Sequence, residues 1–191
     1  MGAYCPVSEV KPDLMAQIVE TIIQPTIKGL VNEKIAYQGI LYFGIILTRS
    51  GPKVLEYNVR LGDPETQVVL PMLGSDFGAL MLACAQGQPL PAVEIRPGAA
   101  VAVVLTSEGY PSTYKTGFPI MGMAAAEKLG AIVFQAGTKL VDGEPVTAGG
   151  RVLAVTATGD SIAQARKLAY KAVEKINFRG VQFRHDIALF L

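Results

Sequence analysis

The chain has 191 residues, 50% of them hydrophobic and 17% charged, with a formal net charge of +1. That balance argues against nucleic acid or an acidic membrane as partner, because binders of either carry a basic excess. Two cysteines, Cys5 and Cys84, are too few for a disulfide framework, and the longest apolar run, 99–105, is far short of the roughly 20 residues that span a bilayer. Gly-Ala-Tyr-Cys-Pro follows Met1, with neither the basic start nor the apolar stretch of a signal peptide. The expectation is a soluble cytoplasmic protein of one large domain or two small ones.

In chain order, Leu14, Met15, Ile18, Val19, Ile22 and Ile23 recur at helical spacing, with Pro12 in the first turn and Pro25 placed to kink or end the helix. Residues 39–48 read as a strand, 49–52 as a turn and 53–60 as a second strand, making a hairpin. Asp63 is a candidate helix N-cap with Pro64 at the first helical position. A further helix is predicted over 76–86, capped by Ser75 and stopped by Gly87.

Pro89, Pro91 and Pro97 mark a composition shift, and a boundary is placed near residue 92. Beyond it the sequence predicts strands over 99–106 and 132–136, and a hairpin turn at Asp142-Gly143. A strand over 151–158 follows, then an amphipathic helix with Ile162, Ala165, Leu168, Ala169, Ala172, Val173 and Ile176 on one face, and a last strand over 181–189. This mixture reads as α+β, with no internal repeat.

The segment that carries chemistry is KVLEYNVRLGDPETQ, residues 53–67. Strand alternation puts Leu55, Tyr57 and Val59 on one face, suited to a core, and Glu56, Asn58 and Arg60 on the other. A carboxylate and an amide oxygen two residues apart are hard donors suited to Mg²⁺, which takes one or two protein oxygens beside phosphate and water. An arginine beside them can neutralise a phosphoryl group or grip a carboxylate. An exposed strand face with an incidental Glu–Arg pair accounts for the same residues equally well.

The pattern Glu56-x-Asn58-x-Arg60 resembles the magnesium-binding strand of ATP-grasp ligases, and RLGDPETQ resembles the signature of phosphoribosylamine–glycine ligase (glycinamide ribonucleotide synthetase). MGAYCP, GYPSTY and GGRVLAVTA are similar to stretches of the same family, in the same order, so the resemblance covers essentially the whole chain. It implies a C-terminal portion: a partial ATP-grasp domain, its metal-binding half, over 1–91, and a small α/β C-terminal domain over 92–191. It further implies ATP-dependent ligation of glycine to 5-phosphoribosylamine through glycyl phosphate, in purine biosynthesis.

By the same resemblance Glu56 and Asn58 are the ligands for Mg²⁺ or Mn²⁺, and Arg60 steadies the acyl phosphate. ATP-grasp enzymes often carry another acidic ligand about twelve residues earlier, where Phe43 and Gly44 stand here, so only two protein ligands are assigned. Asp63 is a candidate to hold a substrate amine or hydroxyl, against its use as a cap. Glu65 is a candidate substrate contact, against a carboxylate that favours the helix dipole. Arg151 resembles a phosphate-gripping position, against a solvated strand start. Lys115 and His185 are weaker candidates better explained by surface positions, and the cysteines are read as spectators.

No phosphate-cradling G-x-x-x-x-G-K-[ST] loop and no G-x-G-x-x-G are present. In the family, an N-terminal α/β domain and the nucleotide-binding half of the ATP-grasp domain come first. The chain is therefore expected to be an incomplete portion, inactive without the missing N-terminal half. A non-catalytic ATP-grasp-derived binding module is the alternative. A biotin-carboxylase-like ligase is disfavoured by GDPE directly after the metal strand.

Overall fold

The apolar run at 99–105 becomes the central strand of one of two units into which the protein divides. Residues 1–189 are described by the computed structural model. One unit, here the sheet unit, gathers Met1–Pro6, Asp63–Gly74 and the chain from Ile95 onward; the other, the hairpin unit, is built from Val7–Gly62 and Ser75–Glu94. Both are discontinuous in sequence, whereas the expected division is a single cut after residue 91.

The sheet unit contains β1 (Gly2–Cys5), α3 (Thr66–Met72), β4 (Ala99–Ser107), α5 (Met123–Glu127), β5 (Ile132–Gln135), β6 (Thr138–Val141), β7 (Glu144–Thr147), β8 (Arg151–Gly159), α6 (Ile162–Val173) and β9 (Val181–Gln182). The hairpin unit contains α1 (Pro12–Ile18), a π-helical turn (Val19–Ile23), α2 (Gln24–Asn32), β2 (Tyr42–Thr48), β3 (Gly51–Asn58) and α4 (Phe77–Ala85). The α+β expectation holds.

In the sheet unit the order is β1-β4-β8-β5, antiparallel throughout, with β9 pairing the end of β4 beyond β1. Every residue of β4 is buried. Val101, Val103 and Leu105 join a core with Ala165, Ala169, Ala172 and Val173 of α6, while Ala100 and Ala102 meet Val68 and Met72 of α3 on the opposite face. A strand covered on both sides has no polar face to show, so it reads as a continuous apolar run. Over residues 100–103 the alternation is one of size instead: valines towards α6, alanines towards α3.

Several elements depart from their predicted bounds. Pro25 does not end the first helix, which continues to Asn32. The π turn accommodates the ring: Gln24 N–H bonds back to Val19 O, five residues earlier, just before the residue that lacks an N–H. Asp63 is not an N-cap; α3 starts at Thr66 behind Glu65, with no side-chain cap. Asp76, not Ser75, caps α4, accepting from Ala79 N–H at 3.0 Å, while Ser75 joins Ala92 O and Glu94 N–H. The last strand is only Val181–Gln182, because the tail instead folds onto α6, where Tyr170 and Arg166 bind the carbonyls of Arg184, His185 and Ile187. Asp142 and Gly143 both adopt positive φ between β6 and β7, as the turn signal requires.

Leu105 is fully buried, and Leu140 is 71% exposed. Leu105→Ala is expected to destabilise the sheet unit by about 2–5 kcal/mol, and Leu140→Ala by no more than about 0.5 kcal/mol. Urea unfolding of the two variants checks both values, and equal costs would contradict the layered core.

Candidate functional site

The candidate residues fall into two groups, one in each unit. The first lies on β3. Turn residues Arg49 and Ser50 join it to β2, and the register sets Tyr42 opposite Asn58, Phe43 opposite Tyr57 and Gly44 opposite Glu56. Glu56 and Asn58 share a face as alternation requires, for Asn58 Nδ2 donates to Glu56 Oε1 at 2.8 Å. Gly44 leaves room for this pair: a Cβ there would stand 2.9 Å from Glu56 Cγ. A side chain at Gly44 would thus require Glu56 to move, while the neighbouring Phe43 packs its ring against Tyr57.

The donor set fits a divalent cation. A half-turn of the Asn58 amide presents its oxygen beside the Glu56 carboxylate, both on an accessible strand face. Among the described residues no group of three or more acidic, histidine or cysteine side chains is placed to hold a metal. The protein therefore offers two oxygens, and water or phosphate would complete the shell.

Arg60 does not extend the row. The strand ends at Asn58, and Arg60 lies in the bend that follows, its Nη1 donating to the neighbouring Leu61 O at 2.7 Å. Nor is the opposite face of β3 a core: Leu55 is 67% and Val59 72% exposed. Tyr57 on that face packs edge-on against Phe43 and shares a 3.0 Å hydrogen bond with Thr26 of α2.

The second group lies in the sheet unit and centres on Asp63. Its two carboxylate oxygens are held from different elements: Oδ1 accepts from Gln67 Nε2 of α3 at 3.0 Å, and Oδ2 from Arg151 Nη1 at 3.1 Å. The same Nη1 also donates to Asp63 O at 3.1 Å, and Arg151 Nε donates to Tyr110 OH at 2.8 Å. Arg151 opens β8 directly after Gly149 and Gly150. The hydrogen bond to Tyr110, and behind it the Asp63 charge, holds the guanidinium above its ordinary pKa against the opposing effect of burial. Arg151 is thus not a bare solvated strand start; two of its three nitrogens are engaged within the protein. Glu65 sits at the N-cap position of α3, half-buried, where its carbonyl takes the amides of Val68 and Val69.

The remaining candidates stand elsewhere. Lys115 lines a cleft of about 330 Å³ with Glu108, Tyr114, Phe118 and Arg179. His185 packs its ring on Phe183, centroids 4.6 Å apart. Cys5 lies on β1, its thiol pushed up by burial, and Cys84 is half-buried on α4; neither forms a disulfide. Gln67 and Tyr110 were not legible as site residues. Gln67 follows Asp63 by four residues, across the start of α3; Tyr110 lies in the GYPSTY stretch, 41 residues from its partner, and that motif gave it no role.

Two family models match the chain: the ATP-grasp (A) domain of phosphoribosylglycinamide synthetase over residues 1–66, and the C domain of the same enzyme over residues 100–189. The chain belongs to the phosphoribosylglycinamide synthetase family. It is 48% identical to the trifunctional purine biosynthetic protein adenosine-3 of Gallus gallus, over 98% of this chain and 19% of that protein. To the phosphoribosylamine–glycine ligase of Caldanaerobacter subterraneus subsp. tengcongensis it is 43% identical, over 98% of this chain and 45% of that one. The crystal structure of phosphoribosylamine–glycine ligase from Thermotoga maritima superposes with a TM-score of 0.84 at 38% identity, covering 98% of this chain and 46% of that one. A biotin carboxylase from Campylobacter jejuni superposes at 0.65 with 15% identity over 96% of this chain and 40% of that one, a likeness of fold alone. The chain thus spans less than half the length of these relatives. Membership of the synthetase family rather than the carboxylase-like alternative agrees with GDPE following the β3 strand.

With 35% and 49% of their side chains exposed, Arg151 and Asp63 form an ion pair worth about 0.2–1 kcal/mol. Asp63→Asn is accordingly expected to lower the stability of the sheet unit by less than about 1 kcal/mol, read by urea denaturation. A loss several times larger would make the pair a structural strut instead of a candidate site.

Proposed function

We propose that this chain is part of an ATP-dependent carbon–nitrogen ligase that joins glycine to 5-phosphoribosylamine, giving glycinamide ribonucleotide, ADP and phosphate in purine biosynthesis. The observation that carries it is the Glu56–Asn58 oxygen pair on β3, inside the span matched by the synthetase ATP-grasp model. The proposed division is residues 1–91 for the metal-binding part of the ATP-grasp domain and 92–191 for the C-terminal domain. Two unpaired cysteines suit a reducing cytoplasm, and no helix among the described residues is long and apolar enough to cross a membrane.

In the first step a glycine carboxylate oxygen attacks the γ-phosphorus of ATP, ADP leaves, and glycyl phosphate forms. In the second the amine of 5-phosphoribosylamine attacks the acyl carbon, phosphate leaves, and the amine gives up a proton. Glu56 and Asn58 would hold Mg²⁺ or Mn²⁺, which supplies charge neutralisation for the phosphate oxygens. Arg60, whose guanidinium donates among the described residues to one backbone carbonyl, can turn its remaining donors onto the acyl phosphate. Asp63 accepts from a substrate amine or hydroxyl. Arg151 offers its third nitrogen to a substrate anion, and Glu65 contributes a further acceptor. ATP also needs a phosphate-cradling wall, which we assign to the N-terminal half of such a ligase.

Product formation tests this reading. The 191-residue chain mixed with the N-terminal half of a phosphoribosylamine–glycine ligase is expected to make glycinamide ribonucleotide from ATP, glycine and 5-phosphoribosylamine, and either part alone to make none. Glu56→Gln in the active assembly should raise the Mg²⁺ concentration for half-maximal rate about tenfold or more. An unchanged Mg²⁺ titration would remove Glu56 from the metal site.

Arg60→Lys separates charge from geometry. If the guanidinium acts on the transferring phosphoryl or acyl phosphate, kcat should fall about 10²–10³-fold with little change in KM for glycine, because the interaction strengthens in the transition state. A change confined to KM would assign Arg60 to substrate docking.

A further inference from the structure

An isolated surface carboxylate needs no scaffold, yet three elements converge on Asp63. Gln67 reaches Oδ1 from α3, Arg151 reaches Oδ2 and the backbone carbonyl from the start of β8, and Tyr110, in the loop after β4, holds Arg151 Nε at 2.8 Å. Half of the Asp63 side chain remains exposed, so lone pairs of both oxygens stay available to an incoming N–H or O–H donor.

One feature of this arrangement opposes stability, and a second clears the space in which it is built. Turning Gln67 so that Nε2 meets Asp63 leaves its Oε1 buried without a hydrogen-bond partner among the described residues, a destabilising position for an acceptor. The opposite amide orientation would set that oxygen against a carboxylate oxygen, so the donor to Asp63 fixes the orientation. The second feature is the clearance for Tyr110. A Cβ on Gly150 would stand 2.4 Å from Tyr110 Cδ2 and 2.9 Å from Tyr114 Cε1. The bend leading into Arg151 is therefore stripped of side chains where the tyrosine ring lies. A buried acceptor left unsatisfied so that its amide can hold one exposed carboxylate marks a functional rather than a structural arrangement.

We infer that Gln67 and Tyr110 are positioning residues that fix the Asp63 carboxylate, Gln67 directly and Tyr110 through Arg151, so that Asp63 presents a preset acceptor to one amine-bearing substrate. This deepens the reading proposed above and rests on it. Neither residue touches substrate; each restricts the group that does. A carboxylate gripped at one lone pair of each oxygen has its remaining lone pairs aimed, and a misaimed acceptor weakens substrate binding before it alters the chemical step.

The test uses the active ligase containing this chain. Tyr110→Phe removes only the oxygen that accepts from Arg151 Nε. Gln67→Met keeps length and volume while removing both the donor to Asp63 and the orphaned buried oxygen. Each variant is expected to raise KM for either glycine or 5-phosphoribosylamine, the same one in both, by about five- to tenfold, with kcat within about twofold. Gln67→Met should at the same time leave Tm unchanged or raise it, which a structural role for Gln67 would not permit. In a double-mutant cycle, adding Tyr110→Phe to Asp63→Asn should change KM no further, because the tyrosine acts through the aspartate. Unchanged KM in both variants of an active enzyme, or additive effects in the cycle, overturns the inference alone. A wild-type assembly that makes no glycinamide ribonucleotide overturns the proposed function and the inference with it.

Discussion

Strand β4 has no exposed side chain, and that constraint organises the sheet unit. A nine-residue strand buried on both faces needs hydrogen-bonding neighbours on both edges and apolar cover on both sides. β8 supplies one edge; β1 and β9 share the other. α6 covers the face that carries Val101, Val103 and Leu105, and only then does α3 become necessary, because Ala100 and Ala102 leave a shallow second face that Val68 and Met72 fill. Placing α3 there draws the residues just before it into the same unit. Asp63 is thereby brought to Arg151 at the beginning of β8, 88 residues away in sequence. The ionic contact is a consequence of apolar packing and adds little to it.

The hairpin unit follows a different logic. Its buried hydrophobic residues are Ile18, Ile22, Leu80 and Ala83, whereas Leu55, Val59, Val31 and Leu82 are exposed. An oxygen pair on such a hairpin escapes the desolvation that a buried carboxylate incurs. Gly44 opposite Glu56 then serves a local purpose, freeing the volume in which the carboxylate and the Asn58 amide meet. Polar chemistry and thin apolar cover coexist because the strand separates them by alternation.

Much of this was legible in the sequence. The β2–β3 hairpin, the double-positive turn at Asp142-Gly143, the cover helix α6 and the shared face of Glu56 and Asn58 follow from periodicity and turn chemistry acting over a few residues. Other features were hidden for physical reasons. β1 is four residues long, too short for alternation to register, and exists because β4 lacks a partner about a hundred residues on. Pro25 signals a helix end, yet a π turn absorbs it. Asp63 carries every mark of a helix cap, but its side chain found stronger partners in an arginine and an amide. Arg60 leaves the strand because Gly62 and Pro64 follow it closely. Where the sequence misled at β1 and Asp63, the competing interaction involved residues far apart in the chain.

The two candidate groups differ in how tightly they are held, and the difference matches the chemistry proposed for each. Among the described residues the side chains of Glu56 and Asn58 bond to one another, so a cation with its own directional demands can rearrange them at the loss of one exposed hydrogen bond. A metal shell that must exchange water for phosphate oxygens benefits from ligands of that kind. Asp63, in contrast, is fixed from α3 and β8, with Arg151 itself fixed by Tyr110. An acceptor for a substrate amine gains from such rigidity, because its lone pairs must point at a particular hydrogen while the neighbouring bond forms. Loose oxygens for the ion and a pinned carboxylate for the amine suit the nucleophilic attack on an acyl phosphate proposed for them. Stability alone would not have favoured the orphaned Gln67 oxygen.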